Sequence, residues 1–263
     1  MHVLRVRVPG WRPGSAGQFA LLQRESSVVF LPRAFSLHGQ TGDEVSFLIS
    51  PIGAGTEELV QAAVGEAVSV LGPLGRGFPV ESITPVTGGR LVIVAGGAGI
   101  AAFPLLIESL ASREKVPPPV VVLLGFRDAL QAECLETFAA PIAALRACGS
   151  DVRLEVICED GSLGRAGMVT HLLADELRTG DVVVACGAHA MSEAVWQLCR
   201  LRACAAWFSL EAGMACGVGS CQGCVIPMAD GSLARVCREG PVFSGQAAFG
   251  EGAHACAEPR GSE

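Results

Sequence analysis

Four cysteines near the C-terminus constrain this chain more than any other feature of its sequence. Cys216, Cys221 and Cys224 lie within nine residues, and Cys237 follows after twelve more. The spacing C-x4-C-x2-C…C is typical of plant-type [2Fe–2S] sites, in which thiolates hold two iron atoms. The glycines between these cysteines let backbone amides approach and donate hydrogen bonds to sulfur. The sequence therefore predicts a segment that wraps a small one-electron cluster.

Two other readings of the four cysteines stay open at this point. A structural zinc ion is usually held by two short Cys-x2-Cys pairs, whereas here three cysteines are clustered and one is remote. The thiols could also be buried without a ligand, since free cysteine packs as a small hydrophobe. The spacing favours iron and sulfur over both.

Length, charge and thiols limit the protein class and the partners. The chain has 263 residues, of which 50% are hydrophobic and 17% charged, enough for two domains and a small appendage. A formal net charge of −7 argues against nucleic acid and anionic membrane surfaces, since both attract a basic face. Glycines and a proline interrupt the apolar stretch 91–107, so no membrane span is expected. An odd number of cysteines, eleven, and no secretory segment after Met1 indicate a reducing, cytoplasmic setting.

Alternating apolar and polar positions predict a small antiparallel β-barrel or sandwich over residues 1–87, and we adopt the barrel. Strands are expected at 4–8, 18–22, 28–31, 44–49 and 67–71. Continuous apolar runs alternate with helix-length stretches over residues 88–206, which predicts a doubly wound α/β domain with a parallel sheet. Its strands are expected at 91–95, 120–124, 152–157 and 182–185, and its helices at 103–112, 168–177 and 192–201. Residues 207–243 form the predicted cluster segment, and 244–263 a flexible tail.

Glycine-rich turns follow the first and last predicted strands of the α/β domain. Gly96, Gly97 and Gly99 lie between a strand and a helix, where backbone amides can receive a ligand's phosphates. Cys186 and Gly187 end the fourth strand, and ligands of open α/β sheets bind along that edge. The spaced G-x-G-x-x-G pattern is absent, so tight turns needed for helix–sheet packing are the alternative reading.

In the barrel, two short segments suit a dinucleotide. Arg33 and Ser36 flank Phe35 at a strand end, and Gly55-Thr56 lies at the start of a helix. An arginine and a hydroxyl can bind a pyrophosphate, and an aromatic side chain can pack on a ring system. Taken singly, each segment also fits an ordinary solvated strand end.

Together these pieces resemble the ferredoxin-reductase superfamily, and within it the electron-transfer subunits of NAD-dependent bacterial dihydroorotate dehydrogenases. The matching blocks run along almost the whole chain, at 55–56, 72–78, 159–162, 186–187, 209–211, 214–217, 236–237 and 240–243. The last blocks distinguish this family, because oxygenase reductases carry their cluster in a longer, complete ferredoxin domain. Ala188 departs from the family pattern, which usually has proline after Cys-Gly.

The resemblance implies FAD in the barrel, a nicotinamide nucleotide in the α/β domain and a [2Fe–2S] cluster facing a catalytic partner. The residues implied for FAD are Arg33, Ala34, Phe35, Ser36, Leu48, Ile49, Ser50, Gly55 and Thr56. Those implied for NAD are Gly96, Gly97, Gly99, Cys186 and Gly187. The iron ligands are Cys216, Cys221, Cys224 and Cys237, and no residue is expected to act as a general acid or base.

The implied partner is an FMN-containing dihydroorotate dehydrogenase subunit of pyrimidine biosynthesis, in a heterotetramer of two plus two chains. Single electrons would pass from the partner through the cluster to FAD, and a hydride from FAD to NAD+. A related reductase subunit with another partner, such as a hydrogenase, a sulfite reductase or a ferredoxin:NADP oxidoreductase, is the alternative. A nucleotide-binding module with a zinc knuckle is a second alternative. Acidic Glu159-Asp160 favours NAD over NADP, whereas Arg127 could attract a 2′-phosphate.

Overall fold

Two small antiparallel sheets form the N-terminal part of the protein. The computed structural model of the chain describes residues 1–85 and 88–251. The N-terminal elements are β1 (His2–Arg7), β2 (Phe19–Arg24), β3 (Arg33–Ser36), β4 (Gly39–Thr41), β5 (Glu44–Ile49), α1 (Ala54–Val60) and β6 (Val68–Leu74). The strand orders are β1-β5-β4 and β3-β2-β6. Leu22, Phe47 and Leu59 belong to one buried cluster that joins the two sheets, together called the barrel below.

One predicted strand of the barrel is wrong. Residues 28–31 form a loop in which Val28 and Phe30 are exposed. The Gln23 side chain donates to the carbonyl oxygens of Val29 and Phe30 at 2.6 and 3.2 Å. Local side-chain bonds of this kind compete with a strand ladder, so the apolar residues do not enter the sheet.

A seven-stranded sheet forms the second part, in the order β10-β9-β8-β7-β11-β12-β15. Its strands are β7 (Leu91–Gly96), β8 (Val120–Phe126), β9 (Val152–Cys158), β10 (Arg165–Ala166), β11 (Val182–Cys186), β12 (Ala205–Ser209) and β15 (Val242–Ser244). All neighbouring pairs are parallel except β12 and β15. The helices are α2 (Phe103–Ala111), α3 (Ala139–Ala147), α4 (Val169–Glu176), α5 (His189–Leu201) and α6 (Gly245–Phe249), with 3-10 segments at Gly97–Ala102 and Gln131–Phe138.

The apolar strands are buried on both faces, as the sequence predicts. Leu91 and Ile93 of β7 belong to one buried cluster and Val92 and Val94 to another, because successive side chains of a strand point to opposite faces. Helices α2 and α3 contribute to the first cluster and α4 and α5 to the second. The four predicted strands and three predicted helices are confirmed with small shifts of their ends.

The C-terminal part of the sheet differs from the prediction. The strand that ends at Cys186 is not the last one, since β12 and β15 follow it in the chain and extend the sheet. Residues 244–250 are not a flexible tail: Ser244 caps α6 by accepting a hydrogen bond from the Ala247 amide at 3.2 Å. Phe249 packs edge-on against Phe208 with ring centroids 5.0 Å apart, and this buried contact holds α6 on the sheet. The rest of the predicted tail, from 252 onwards, lies outside the described residues.

The cysteine segment leaves the sheet after β12 and returns in β15. In the chain between β12 and β15 lie two short strands, β13 (Val225–Pro227) and β14 (Leu233–Arg235), which form a two-stranded sheet of their own. Because β12 and β15 pair directly, both ends of the cysteine segment are fixed at the same edge of the sheet. None of the helices in the described ranges is long and apolar enough to cross a membrane.

Several contacts hold the barrel against the other parts, and three of them define where it sits. His38 Nδ1 lies 3.0 Å from the carbonyl oxygen of Ala101. The Phe78 and Phe103 rings pack with centroids 5.7 Å apart. The Arg76 amide donates to the carbonyl oxygen of Gly240 at 2.6 Å. The barrel therefore meets both the glycine-rich turn after β7 and the end of the cysteine segment.

Candidate functional site

A cavity of about 680 Å³ opens at the carboxyl edge of the parallel sheet. We call it the nucleotide cleft. Of the residues predicted for NAD, Gly96, Gly97, Gly99 and Gly187 line it, whereas Cys186 does not. Sequence reasoning assigned no role to several other lining residues, among them Ala98, Gly167, Thr170 and Met191. The cleft brings together the two turns that the sequence places at this edge.

The two turns are packed backbone to backbone. A Cβ atom on Gly99 would lie 2.3 Å from the carbonyl oxygen of Cys186 and 2.8 Å from the amide nitrogen of Gly187. Only glycine fits such a contact without moving a main chain. The turn continues as a 3-10 segment, and α2 begins at Phe103, as the sequence predicts.

Three charged side chains line the nucleotide cleft: Arg127, Glu159 and Glu211. Asp160, which the sequence pairs with Glu159, is not among the lining residues. Its carboxylate accepts hydrogen bonds from the Ser162 hydroxyl at 2.6 Å and the Ser162 amide at 2.9 Å. These bonds lower the pKa of Asp160. Of the two predicted acidic partners, only Glu159 therefore faces the cleft.

A second cavity of about 330 Å³ lies between the barrel and the sheet, and we call it the barrel pocket. Seven of the nine residues implied for FAD line it: Arg33, Ala34, Phe35, Ser36, Leu48, Ser50 and Thr56. Ile49 does not, because it follows Leu48 on the opposite face of β5 and is fully buried in the core. Gly55 lies beside the pocket, against the Arg33 guanidinium.

Arg33, Gly55 and Thr56 form one local arrangement. A Cβ atom on Gly55 would lie 2.8 Å from Nε of Arg33, so the absence of a side chain makes room for the guanidinium. Arg33 Nη1 donates to the carbonyl oxygen of Leu31 at 2.7 Å. The Thr56 hydroxyl accepts from the amides of Ile52 and Gly53 at 3.0 and 3.1 Å. The Thr56 hydroxyl thus holds the loop before α1, and the Arg33 guanidinium is anchored beside the first turn of that helix.

Sequence reasoning missed several residues of the barrel pocket. Ser209, Leu210, Ala212, Met214 and Pro241 line it from the sheet and from the cysteine segment. Four of them lie in blocks that carry the family resemblance, but the sequence does not place them at the barrel, because their position depends on β12 pairing beside β11. Cys186, predicted for the nucleotide, lines this pocket instead. Burial raises the pKa of its thiol to about 12, so it stays protonated.

Glu211 lines both cavities, and so does Ala98. Although the Glu211 side chain reaches the open cleft, the surrounding protein removes part of its hydration and raises its pKa. The two cavities therefore share a carboxyl group that lies two residues after the end of β12.

The cysteine segment directs backbone amides at its sulfur atoms. The Cys221 amide donates to Sγ of Cys216 and the Gly223 amide to Sγ of Cys221, both at 3.4 Å, and the Cys237 amide to Sγ of Cys224 at 3.5 Å. Cys224 and Cys237 are buried, whereas Cys221 is exposed. Amides of Cys221 and Val218 lower the pKa of Cys216 to about 6, which favours the thiolate form that binds metal. Burial raises the pKa of Cys237 to about 11.

The thiols are arranged in two pairs. Cys216 and Cys221 are within hydrogen-bonding reach of each other, and so are Cys224 and Cys237. Across residues 1–85 and 88–251, no three Cys, His, Asp or Glu side chains converge as ligands of one metal ion. A [2Fe–2S] cluster takes two thiolates on each iron, so two pairs of thiols and the amides directed at their sulfur atoms fit its ligand set.

Comparison with known proteins supports this assignment of the cysteines. Residues 211–248 match the family model described as the iron–sulfur cluster binding domain of dihydroorotate dehydrogenase B. A protein of Clostridium perfringens named dihydroorotate dehydrogenase B (NAD(+)), electron transfer subunit, is 31% identical over 231 residues, covering 88% of this chain and 85% of its own. The subunit of the same name from Geobacillus thermodenitrificans is 37% identical over 193 residues, covering 73% and 68%.

The chain belongs to this family of electron transfer subunits. The resemblance drawn from the sequence is thus confirmed, and the chain is an oxidoreductase subunit. Membership in a family of electron transfer subunits implies a catalytic partner subunit.

Comparison with solved structures confirms the fold of this chain. An NADH-dependent reduced ferredoxin-NADP oxidoreductase, studied for electron bifurcation, superposes with a TM-score of 0.77 at 22% identity, covering 93% of this chain and 83% of its own. A ferredoxin NADP+ reductase from Neisseria gonorrhoeae, solved with FAD and NADP, gives 0.60 at 18% identity, covering 76% and 84%. Both likenesses concern the ferredoxin-reductase fold, which agrees with the predicted combination of barrel, parallel sheet and cluster segment.

Proposed function

We propose that this chain relays electrons from a catalytic dihydroorotate dehydrogenase subunit to NAD+ in pyrimidine biosynthesis. In this proposal Cys216, Cys221, Cys224 and Cys237 hold a [2Fe–2S] cluster. FAD occupies the barrel pocket, and the nicotinamide nucleotide occupies the nucleotide cleft. The partner would carry FMN and form a heterotetramer of two plus two chains in a reducing cytoplasm.

The continuity of the three sites is the observation that carries the proposal. Glu211 and Ala98 line both cavities, so ligands in the cleft and in the pocket would meet there. Ala212 and Met214 line the barrel pocket, and Cys216 follows Met214 by two residues. The nucleotide cleft and the barrel pocket therefore share lining residues, and the cysteine loop begins two residues after a residue that lines the barrel pocket.

Bound groups would supply the redox chemistry: a flavin exchanges both one and two electrons, a nicotinamide takes hydride, and a two-iron cluster passes single electrons. The chain itself binds and orients. Arg33 offers a fixed cation to a diphosphate, and Phe35 offers a face for ring packing. Phe35 has no hydroxyl and cannot hydrogen-bond a ring as tyrosine would.

The residues around the meeting point hold protons and exclude water. Cys186 is a buried, protonated thiol within hydrogen-bonding reach of Ser209. Leu210 and Pro241 contribute apolar surface to the barrel pocket, and the Leu210 amide is bonded to the carbonyl oxygen of Pro241 at 2.9 Å. The Glu211 carboxyl group, whose pKa is raised by burial, would contact ligands in both cavities.

The experiment is purification of the chain with a tag, under reducing and anaerobic conditions, from a host that carries the neighbouring genes. The proposal expects a flavin and iron–sulfur absorption spectrum, FAD rather than FMN after heat release of the chain's own flavin, and co-purification of an FMN-containing dihydroorotate dehydrogenase. A colourless protein that holds zinc would contradict the cluster assignment. Co-purification of a different oxidoreductase would contradict the proposed partner while leaving the cofactors in place.

A further inference from the structure

Arg235 connects the loop of the first cysteines with the turn that contains the last one. Its Nη1 donates to the carbonyl oxygen of Gly219 at 3.0 Å. Its Nε and Nη2 donate to the two carboxylate oxygens of Glu239 at 3.1 and 2.6 Å. The Arg235 amide also donates to that carboxylate, at 2.8 Å. Arg235 therefore holds Gly219 with one nitrogen while Glu239 fixes the rest of its planar head.

The peptide at Gly219 is oriented by this contact. Its carbonyl oxygen is bound by Arg235, and its amide lies within reach of the Cys237 sulfur. Gly219 has a φ of +85°, a conformation that favours glycine. A Cβ atom there would lie 2.8 Å from Cδ of Arg238. The positive φ therefore favours glycine at this position, and a side chain would also displace the Arg238 side chain.

The same arginine closes the turn around Cys237. Its carbonyl oxygen accepts hydrogen bonds from the amides of Arg238, Glu239 and Gly240 at 3.0, 2.9 and 3.4 Å. The Arg235 charge acts on both buried cysteines, Cys224 and Cys237. Glu239 places an opposite charge against the guanidinium, and this pairing lowers the pKa of the Glu239 carboxyl to about 2.

We propose that Arg235 and Glu239 are positioning residues that set the reduction potential of the cluster held by the four cysteines. The inference rests on the proposed function, in which these cysteines bind a [2Fe–2S] cluster. Reduction adds negative charge, so a nearby cation and an amide directed at sulfur stabilise the reduced cluster and raise its potential. Arg235 supplies the cation and orients the Gly219 amide, and Glu239 offsets the charge. The opposing charges of Arg235 and Glu239 together set how readily the cluster accepts an electron.

The test is an anaerobic redox titration of the intact chain, with the cluster followed by its EPR signal, in Arg235→Gln, Glu239→Gln and the double variant. We expect Arg235→Gln to lower the midpoint potential, because both the cation and the hold on Gly219 are lost. We expect Glu239→Gln to raise it, because Arg235 keeps its charge without the neutralising carboxylate. The double variant should fall between the two. Arg202→Gln, which removes an exposed cation after α5, is the matched control and should leave the potential unchanged.

Shifts of the midpoint potential in opposite directions distinguish this role from a merely structural one. Loss of a structural contact would change the iron content or the EPR line shape, but the direction of any potential shift would not follow the charge that was removed. If Arg235→Gln loses its cluster, the midpoint potential of Glu239→Gln still tests the proposal, because that variant keeps the hydrogen bond from Arg235 to Gly219. Unchanged potentials, or a shift of Glu239→Gln to lower potential, would overturn the inference while the proposed function stands. A wild-type chain without iron or an EPR signal would overturn the proposed function and this inference with it.

Discussion

The Nδ1 atom of His38 lies 3.0 Å from the carbonyl oxygen of Ala101, which joins the barrel to the turn that lines the nucleotide cleft. His38 is 5% exposed, and Ala101 lines the barrel pocket from the 3-10 segment after β7. A neutral imidazole satisfies this contact by donating from Nδ1. The contact between the barrel and the 3-10 segment after β7 therefore depends on a buried, uncharged histidine.

His38 should make the chain less stable in mild acid. Burial, together with the charge of Arg5, lowers the pKa of His38 below its ordinary value of 6.5, despite the hydrogen bond to Ala101. The unfolded chain then binds a proton at His38 that the folded chain does not. The free energy of unfolding is unaffected by His38 above pH 6.5 and falls below it, by at most about 1.4 kcal/mol per pH unit.

Urea unfolding of wild type and His38→Gln at pH 7.5 and 5.5 measures this effect. The wild type should lose more stability between the two values than the variant does. An equal loss in both proteins would mean that His38 is protonated in the folded state at little cost.

Replacing Gly55 with alanine should weaken flavin binding without unfolding the barrel. The added methyl group would displace the Arg33 guanidinium, which is the flexible end of a side chain rather than main chain. Loss of one charged hydrogen bond to a diphosphate costs about 1.5–3 kcal/mol, so we expect FAD to bind roughly 10 to 100 times more weakly.

Gly53→Ala is the matched control, because a Cβ atom there meets nothing within 4 Å. Titration of flavin-free protein with FAD, followed by flavin fluorescence, compares the two variants. Equal affinity in Gly55→Ala and Gly53→Ala would show that Arg33 does not bind the diphosphate.

Reduction of the flavin should be faster with NADH than with NADPH, and Glu159 should be the reason. The Glu159 carboxylate lines the nucleotide cleft, where it can accept from ribose hydroxyls and repel a 2′-phosphate. Glu159→Gln should narrow the difference in rate. Asp160→Asn should leave it, because the Asp160 carboxylate bonds to Ser162 and does not line the cleft. Stopped-flow reduction at matched concentrations measures this, and a wild-type preference for NADPH would assign selectivity to Arg127.

The sequence predicts those parts of the site that carry local patterns. The cysteine spacing requires no tertiary information, and Gly96, Gly97 and Gly99 follow a recognisably buried strand. Seven of the nine residues implied for FAD line one pocket for the same reason, since they lie in short, characteristic segments. Ile49 is the instructive exception, because its neighbour Leu48 takes the face toward the pocket and alternation turns Ile49 into the core.

Other parts of the site depend on contacts between distant segments. Glu211 and Met214 reach the cavities only because β12 pairs with β11 and ends at the same edge of the sheet. Residues 244–249 have a glycine- and alanine-rich composition that suggests a flexible tail, yet Phe249 is buried against Phe208. We propose that the cluster segment extends to this helix, beyond the boundary predicted at 243. Pairing across the sheet, rather than local propensity, determines these positions.

The central claim is that the cluster held by the four cysteines relays electrons between a partner and the nucleotide sites. Cys221→Ser tests this claim most directly. Cys221 is exposed in the loop, and Cys148, an exposed cysteine outside the segment, offers Cys148→Ser as a matched control. The measurement compares dihydroorotate-dependent reduction of NAD+ by the complex with NADH-dependent reduction of a small artificial acceptor by the same protein. The account predicts that Cys221→Ser loses iron and the partner-coupled reaction while it keeps FAD and acceptor reduction, and that Cys148→Ser keeps all four. An iron-free, folded Cys221→Ser chain that still supports full partner-coupled turnover would contradict the relay.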